Sequence, residues 1–243
     1  MMLAEKFKAW LASQGIDIRR NRFVDPQRLQ RHLITREDAI VFDIGAHVGQ
    51  TSLAYRGLFP QASIHSFEPF PASLARLEQA LAQDPGVQIH ALALSNQTTE
   101  QTLFANAVES TNSLMPISDG ADENWGEGRL KAAQPITVKT ETLDGFCQRQ
   151  GIDRIDIMKI DVQGAEYQVL EGASGLLAKQ AIGLLQFEFI LADTYRGQRP
   201  LQDYLSLMDA HRYELVDFFQ PIRRNGRLLQ ADLMFAAPGI RAA

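Results

Sequence analysis

An α/β fold, with a mostly parallel seven-stranded sheet that ends in an antiparallel hairpin and carries helices on both faces, is predicted by three observations. From Ile40 onward, short β-branched and aromatic runs alternate with segments whose apolar residues fall at helical spacing. The first run leads into "VFDIGAHVGQTS", residues 41–52, where a strand stops at an acid and passes through two glycines into a helix-like segment. The last two runs flank "RRNGRLL", whose Asn225-Gly226 pair is a hairpin signal. Alternation with short connections joins parallel strands through right-handed crossovers.

The elements follow in order. Apolar residues at helical spacing over 3–13 and 26–34 (Leu3, Phe7, Trp10, Leu11; Leu29, Leu33) predict an N-terminal helical extension spanning residues 1–38. The main domain, 39–243, then begins with strand 40–44, helix 49–58, strand 63–67, helix 71–83 and strand 87–94. After Ser95 the rhythm breaks. Strand-like ends surround a polar, Gly- and Asp-rich middle at 118–134, and the segment 106–134 reads as a lid-like insertion or a variable surface loop. Alternation resumes with helix 143–150, strand 155–161, helix 165–179, strand 182–190 and helix 200–211, and closes with strands 213–220 and 231–237.

Composition narrows the function classes. The 243 residues suit one large α/β domain with a short extension, and 45% hydrophobic with 22% charged residues is ordinary for a globular chain. A net charge of −5 gives no basic footprint for phosphates, so nucleic acid is not expected as a partner. Cys147 is the single cysteine, which excludes an intrachain disulfide and a cysteine zinc site and fits a reducing cytoplasm. No signal peptide is read at the N-terminus. The most apolar stretch, "AIGLLQFEFILA", is too short to span a bilayer as a helix, so no membrane span is expected.

In an open α/β sheet, ligands bind at the carboxyl ends of the strands. Asp43, Gly45 and Gly49 fall there, together with Ala46 and Thr51 of the same turn. Gly45 admits a positive φ and close approach of a ligand to the main chain, and Gly49 lets the helix start against it. Glu68, followed by Pro69, ends the second strand and is placed to accept two hydrogen bonds from a ribose diol. An acid ahead of the first glycine would repel a pyrophosphate, and the third glycine of a dinucleotide loop is missing. A cationic nucleoside cofactor, S-adenosylmethionine (SAM), suits these acids better. Asp161 ends "IDIMKID", Glu188 lies near the end of "LLQFEFI", and Ser95 and Asn96 follow the third strand. Buried carboxylates are costly unless paired or used, and a cationic ligand would use them. Asp161 would equally serve as a helix N-cap, Glu188 as the partner of a lid arginine, and His47 as a helix-start residue.

The blocks "VFDIGAHVGQTS", "FEP", "ALSN", "TNSL", "TLDGF" and above all "KIDVQGAE" resemble the FkbM family of SAM-dependent methyltransferases, over about Ile40 to Pro238. Where that family commonly shows D-V-E-G-x-E, Gln163 stands in place of the middle acid. The resemblance implies a class I methyltransferase Rossmann-like fold and O-methylation of a hydroxyl on a sugar, glycan or polyketide-type small molecule. On that reading Asp161 and Glu188 flank the methyl group, one of them as base, with His47 as runner-up. No metal is assigned, although Asp161 and Glu188 holding a divalent cation is the alternative. The lid's Asn112 and Ser113, with Tyr195 and Arg196, are expected to shape the acceptor pocket, Trp125 with them. A silent cofactor- or glycan-binding protein and a nucleotide-sugar or NAD enzyme are the competing classes, and a homodimer stays open.

Overall fold

The computed structural model describes residues 25–126, 130 and 132–240. Helix α1 (Pro26–Leu33) is capped by Asp25, whose carboxylate accepts from the Gln27 N–H at 3.0 Å. The expected helix over 3–13 lies outside the described residues. Strand β1 (Ile40–Ile44), α2 (Gln50–Leu58), β2 (Ser63–Phe67), α3 (Pro71–Leu81) and β3 (Val87–His90) follow as the alternation predicts. Later come β7 (Ile155–Ile160), β8 (Ile182–Ile190), α8 (Leu201–Ala210), β9 (Glu214–Arg224) and β10 (Arg227–Ala236). The seven strands lie in the order β3-β2-β1-β7-β8-β10-β9, all parallel except β10, which is antiparallel to both of its neighbours.

Two predicted elements are each broken by packing. The strand expected at 87–94 stops at His90, turns on the Leu92 N–H to His90 carbonyl bond, and resumes as β4 (Ala93–Leu94) in a separate sheet. That three-stranded sheet, β4-β6-β5, is built with β5 (Thr99–Asn106) and β6 (Ala132–Glu141), so the strand-like ends of the insertion are its stems. The helix expected at 165–179 splits into α6 (Glu166–Glu171) and α7 (Ser174–Ala178). A Cβ on Gly172 would sit 2.1 Å from the Ser95 carbonyl, so the chain passes Ser95 backbone to backbone at this point. Asp144, from helix α5 (Leu143–Gln150), then caps the restart by accepting from the Gly175 and Leu176 N–H groups at 2.7 and 2.9 Å.

The two faces of the sheet bury different cores. On one, Phe42, Ile44, Phe67, Met158, Ile160, Leu185 and Phe187 pack with residues of α5, α6, α7 and α8. On the other, Val41, Ile64, Ile157 and Leu184 lie side by side in register and pack with Tyr55 and Phe59. Two residues further along the same strands that apolar row gives way to a polar one, Ser66, Asp43, Lys159 and Gln186. Side chains two apart on a strand share a face, so the polar row continues the apolar one toward the carboxyl edge.

Gly45, expected to let a ligand close to the main chain, also admits a neighbouring strand end. A Cβ there would lie 1.9 Å from the Asp161 carbonyl oxygen, and its φ is +84°. Gly45→Ala is therefore expected to destabilise the fold by roughly 2–4 kcal/mol through backbone strain and displacement; a midpoint unchanged in urea denaturation would contradict this packing.

Candidate active site

A cavity of about 410 Å³ opens at the carboxyl edge of β1, β2 and β7. Its walls include Gly45, Ala46, His47, Thr51, Glu68, Pro69, Asn112, Ser113, Asp161 and Glu188, all singled out from the sequence, with apolar surface from Phe67, Leu92 and Leu94. Glu68 is held by two backbone donors, the His47 N–H at 2.9 Å and the Phe70 N–H at 2.8 Å. Burial raises its pKa to about 7, against the pull of those two bonds. His47 sits at φ +49°, and its Nε2 is buried without a hydrogen-bond partner; burial, followed by the charge of Arg76, lowers its pKa.

The other end of the cavity is ionic. Lys159 Nζ donates to Asp161 Oδ2 at 2.8 Å. Burial works against its charge, but Asp161 and Asp43 outweigh that and hold the lysine above its usual range. Asp161, although buried, is kept below the usual carboxylate range chiefly by Lys159. Glu188 goes the other way, pushed well up by burial and by the nearby Asp161 and Glu166 charges. The carboxamide of Gln163 lies between the two acids, Nε2 donating to Asp161 Oδ1 at 2.8 Å and to Glu188 Oε2 at 2.7 Å. Gln230 supplies a second donor to Glu188, at 2.7 Å.

Asp161 is not the N-cap of α6, since that position is held by Ala165, with no side-chain cap bond. Glu188 is bound by the Gln163 and Gln230 carboxamides, and the arginine of the 106–134 insertion, Arg129, lies outside the described residues. Among the described residues no group of three or more His, Cys, Asp and Glu side chains is arranged to hold a metal ion.

Seven of the residues expected at the site stand apart from the cavity wall. Asp43 is wholly buried behind the glycine turn, with Oδ2 accepting from Ser52 at 2.6 Å and Oδ1 unpartnered, and burial raises its pKa. Gly49, at φ +90°, faces Leu77. Ser95 and Asn96 lie at the second sheet because the strand switches sheets before them, and Asn96 bonds Glu171 at 2.9 Å. Tyr195 is buried behind Gln163, its hydroxyl 3.0 Å from the Thr111 carbonyl and 3.2 Å from Gln163 Oε1, while Arg196 is exposed. Trp125 bonds Thr194 at 2.7 Å rather than the cavity. Lys159, Gln163 and Gln230 were missed as site residues; "KIDVQGAE" contains the first two, but only strand register shows that Lys159 sits opposite Asp43.

The residues present fit SAM. Glu68 offers an oriented carboxylate to a ribose diol, the apolar wall suits an adenine ring, the orphaned His47 Nε2 and Asn112 Nδ2 await partners, and the acids at the far end suit cationic groups. A sheet ordered β3-β2-β1-β7-β8-β10-β9 with this cleft defines a class I methyltransferase.

The family follows from comparison. A model of the methyltransferase FkbM domain matches residues 43–215, and the chain belongs to that family, whose cofactor is SAM. The 2-O-methyltransferase NoeI of Sinorhizobium fredii is 27% identical over 77% of this chain and 77% of its own. The 31-O-demethyl-FK506 methyltransferase FkbM of Streptomyces tacrolimicus is 22% identical over 84% of this chain and 83% of its own. The hexuronic acid methyltransferase AglP of Haloferax volcanii is 23% identical over 68% of this chain and 59% of its own.

The ionisation of Glu68 gives a signature in the ligand-free protein. Its carboxyl titrates near 4.5 when unfolded and near 7 when folded, so between those values the native state holds the extra proton. Stability is then fully present below pH 4.5 and falls as pH rises through 7. Thermal denaturation of the free protein should show a smaller loss between pH 5 and pH 8 in Glu68→Gln than in the unsubstituted protein. Parallel curves would mean that Glu68 titrates normally.

Proposed function

We propose that the chain transfers the methyl group of SAM to a hydroxyl of a sugar, glycan or polyketide-type small molecule, with Glu188 as the general base. The observation that carries this reading is the contrast between two adjacent carboxylates. Asp161 is neutralised by Lys159 and stays ionised, whereas Glu188 has no ion-pair partner among the described residues and a raised pKa. A base is most effective when its pKa is near the working pH, and pairs of acids pushed apart in this way divide their roles. The O-methyltransferase names of NoeI and FkbM support hydroxyl as the acceptor atom.

Bound SAM supplies an electrophilic methyl group on a positively charged sulfur. Glu68 would hold the ribose, its carboxylate already aimed by the His47 and Phe70 N–H groups. Asp161, ionised and fixed by Lys159 and Gln163, would attract the cationic end of the cofactor. Glu188 would accept the acceptor's hydroxyl proton as its oxygen attacks, while the Gln163 and Gln230 carboxamides hold the carboxylate in place. A second reading gives the proton to His47, whose lowered pKa leaves a neutral ring and an unpartnered Nε2 in the same cavity.

Two variants separate these roles. Glu68→Ala should weaken SAM binding by about tenfold or more, the loss expected for hydrogen bonds to a charged acceptor, read by calorimetry. Glu188→Gln should leave that affinity within a few fold and lower kcat by about a hundredfold or more. Full turnover in Glu188→Gln together with a large loss in His47→Ala would transfer the base role to the histidine.

A further inference from the structure

A second cavity, about 430 Å³, lies back to back with the first and opens between the start of α1 and the β9–β10 hairpin. The two share Gln50, Thr51, Lys159, Asp161, Glu188 and Gln230 as walls. A molecule in the second cavity therefore meets the Asp161 and Glu188 carboxylates, which also wall the first. Two molecules approaching one reacting atom from two openings is the arrangement an in-line displacement needs.

We infer that this second cavity is the acceptor site, and that it takes a neutral polyhydroxylated molecule in preference to a uronic acid or a phosphorylated sugar; the inference rests on the methyl-transfer reading above. The wall chemistry argues for hydroxyls. Gln27, Gln50 and Gln220 bring carboxamides, each both donor and acceptor, to a volume within the small-molecule range, while Gln186 is already bonded to Gln30 and Asp232 and Gln230 to Glu188. Tyr55 is fully buried on the same wall, and its hydroxyl, beside Gln30, makes no well-formed hydrogen bond. A buried hydroxyl without a partner is unfavourable, and a ligand hydroxyl would relieve it.

Charge argues against an acidic acceptor. Asp25, Asp161, Glu188 and Asp232 line the cavity, and the one lysine or arginine facing them among the described residues is Lys159, already bound to Asp161. Arg196, Arg199 and Arg224 are engaged elsewhere, the last with the Asn124 carbonyl. Arg196 binds Asp119; Arg199 lies over the Tyr167 ring and near Asp203. The expected acceptor residues Tyr195 and Arg196 do not line either cavity.

The test uses the full chain saturated with S-adenosylhomocysteine and NMR titration with methyl glycosides of the common hexoses, the matching methyl uronosides and hexose 6-phosphates. At least one neutral glycoside should bind tenfold or more tightly than its charged counterparts. Ile222→Trp, at a half-exposed position on the cavity's rim, should weaken that binding at least tenfold and leave S-adenosylhomocysteine affinity unchanged. Equal or tighter binding of uronosides or phosphates, binding unaffected by Ile222→Trp, or no glycoside bound at all would overturn the inference. The glycoside comparison stands on the unsubstituted protein even if the variant fails to fold. Glycoside binding without methyl transfer from SAM would instead remove the methyl-transfer reading and keep the cavity as a neutral polyol site.

Discussion

The buried ammonium of Lys159 makes the polar centre of this sheet tolerable. Asp43 lies beside it in register, Asp161 binds it at 2.8 Å, and Asp232 is close enough to raise its pKa. Carboxylates taken out of water cost several kcal/mol each unless a cation and hydrogen bonds offset the loss. Lys159 provides that charge at the carboxyl edge, where the apolar row of Val41, Ile64, Ile157 and Leu184 ends. The site depends on this balance being incomplete. Glu188, one strand over, receives amide donors but no ion-pair partner among the described residues, and burial with the nearby acids raises its pKa.

Around that centre the backbone is drawn in by residues without side chains. Gly45 lets the turn after β1 touch the end of β7, which fixes the distance between the Glu68 end and the Asp161 end of the cavity. Gly164, at φ +95°, receives the Tyr195 ring, and Gln163 before it takes φ +56°. Glu166 clamps this turn by accepting from the Val162 and Gly164 N–H groups, and burial raises its own pKa to about 8. A tight, over-determined turn is what presents the Gln163 carboxamide to two acids at once. Ser113 donates to the Gln163 carbonyl at 2.6 Å, which ties the insertion to the same turn.

The order of elements and the hairpin are legible because each strand carries its own apolar run and each turn its own glycine or Asn-Gly signal. Residues 40–44, 63–67 and 182–190 match their strands to the residue. The breaks at Leu92 and Gly172 are not legible, because the local pattern continues through both. What breaks them is a partner distant in sequence, β6 in one case and the Ser95 carbonyl in the other. The acids of the site stand out against apolar strands, and so does Glu68 after its strand. Lys159 does not, since a lysine in a strand signals burial only when its neighbour is known to be Asp43. Ser95 and Asn96 were drawn to the cleft by the assumption that a strand ends where its sheet does. The second cavity had no local signal, being walled by α1, α2, β8 and the closing hairpin, elements far apart in the chain.

The central claim is that SAM lies with its ribose at Glu68 and its sulfur toward the junction of Lys159, Asp161 and Glu188. The most direct test is a crystal structure of the chain with S-adenosylhomocysteine. The account requires the ribose hydroxyls within hydrogen-bond distance of Glu68 and the thioether facing the wall shared by the two cavities. A ligand whose ribose lies away from Glu68, or whose sulfur points toward the second sheet, would contradict it.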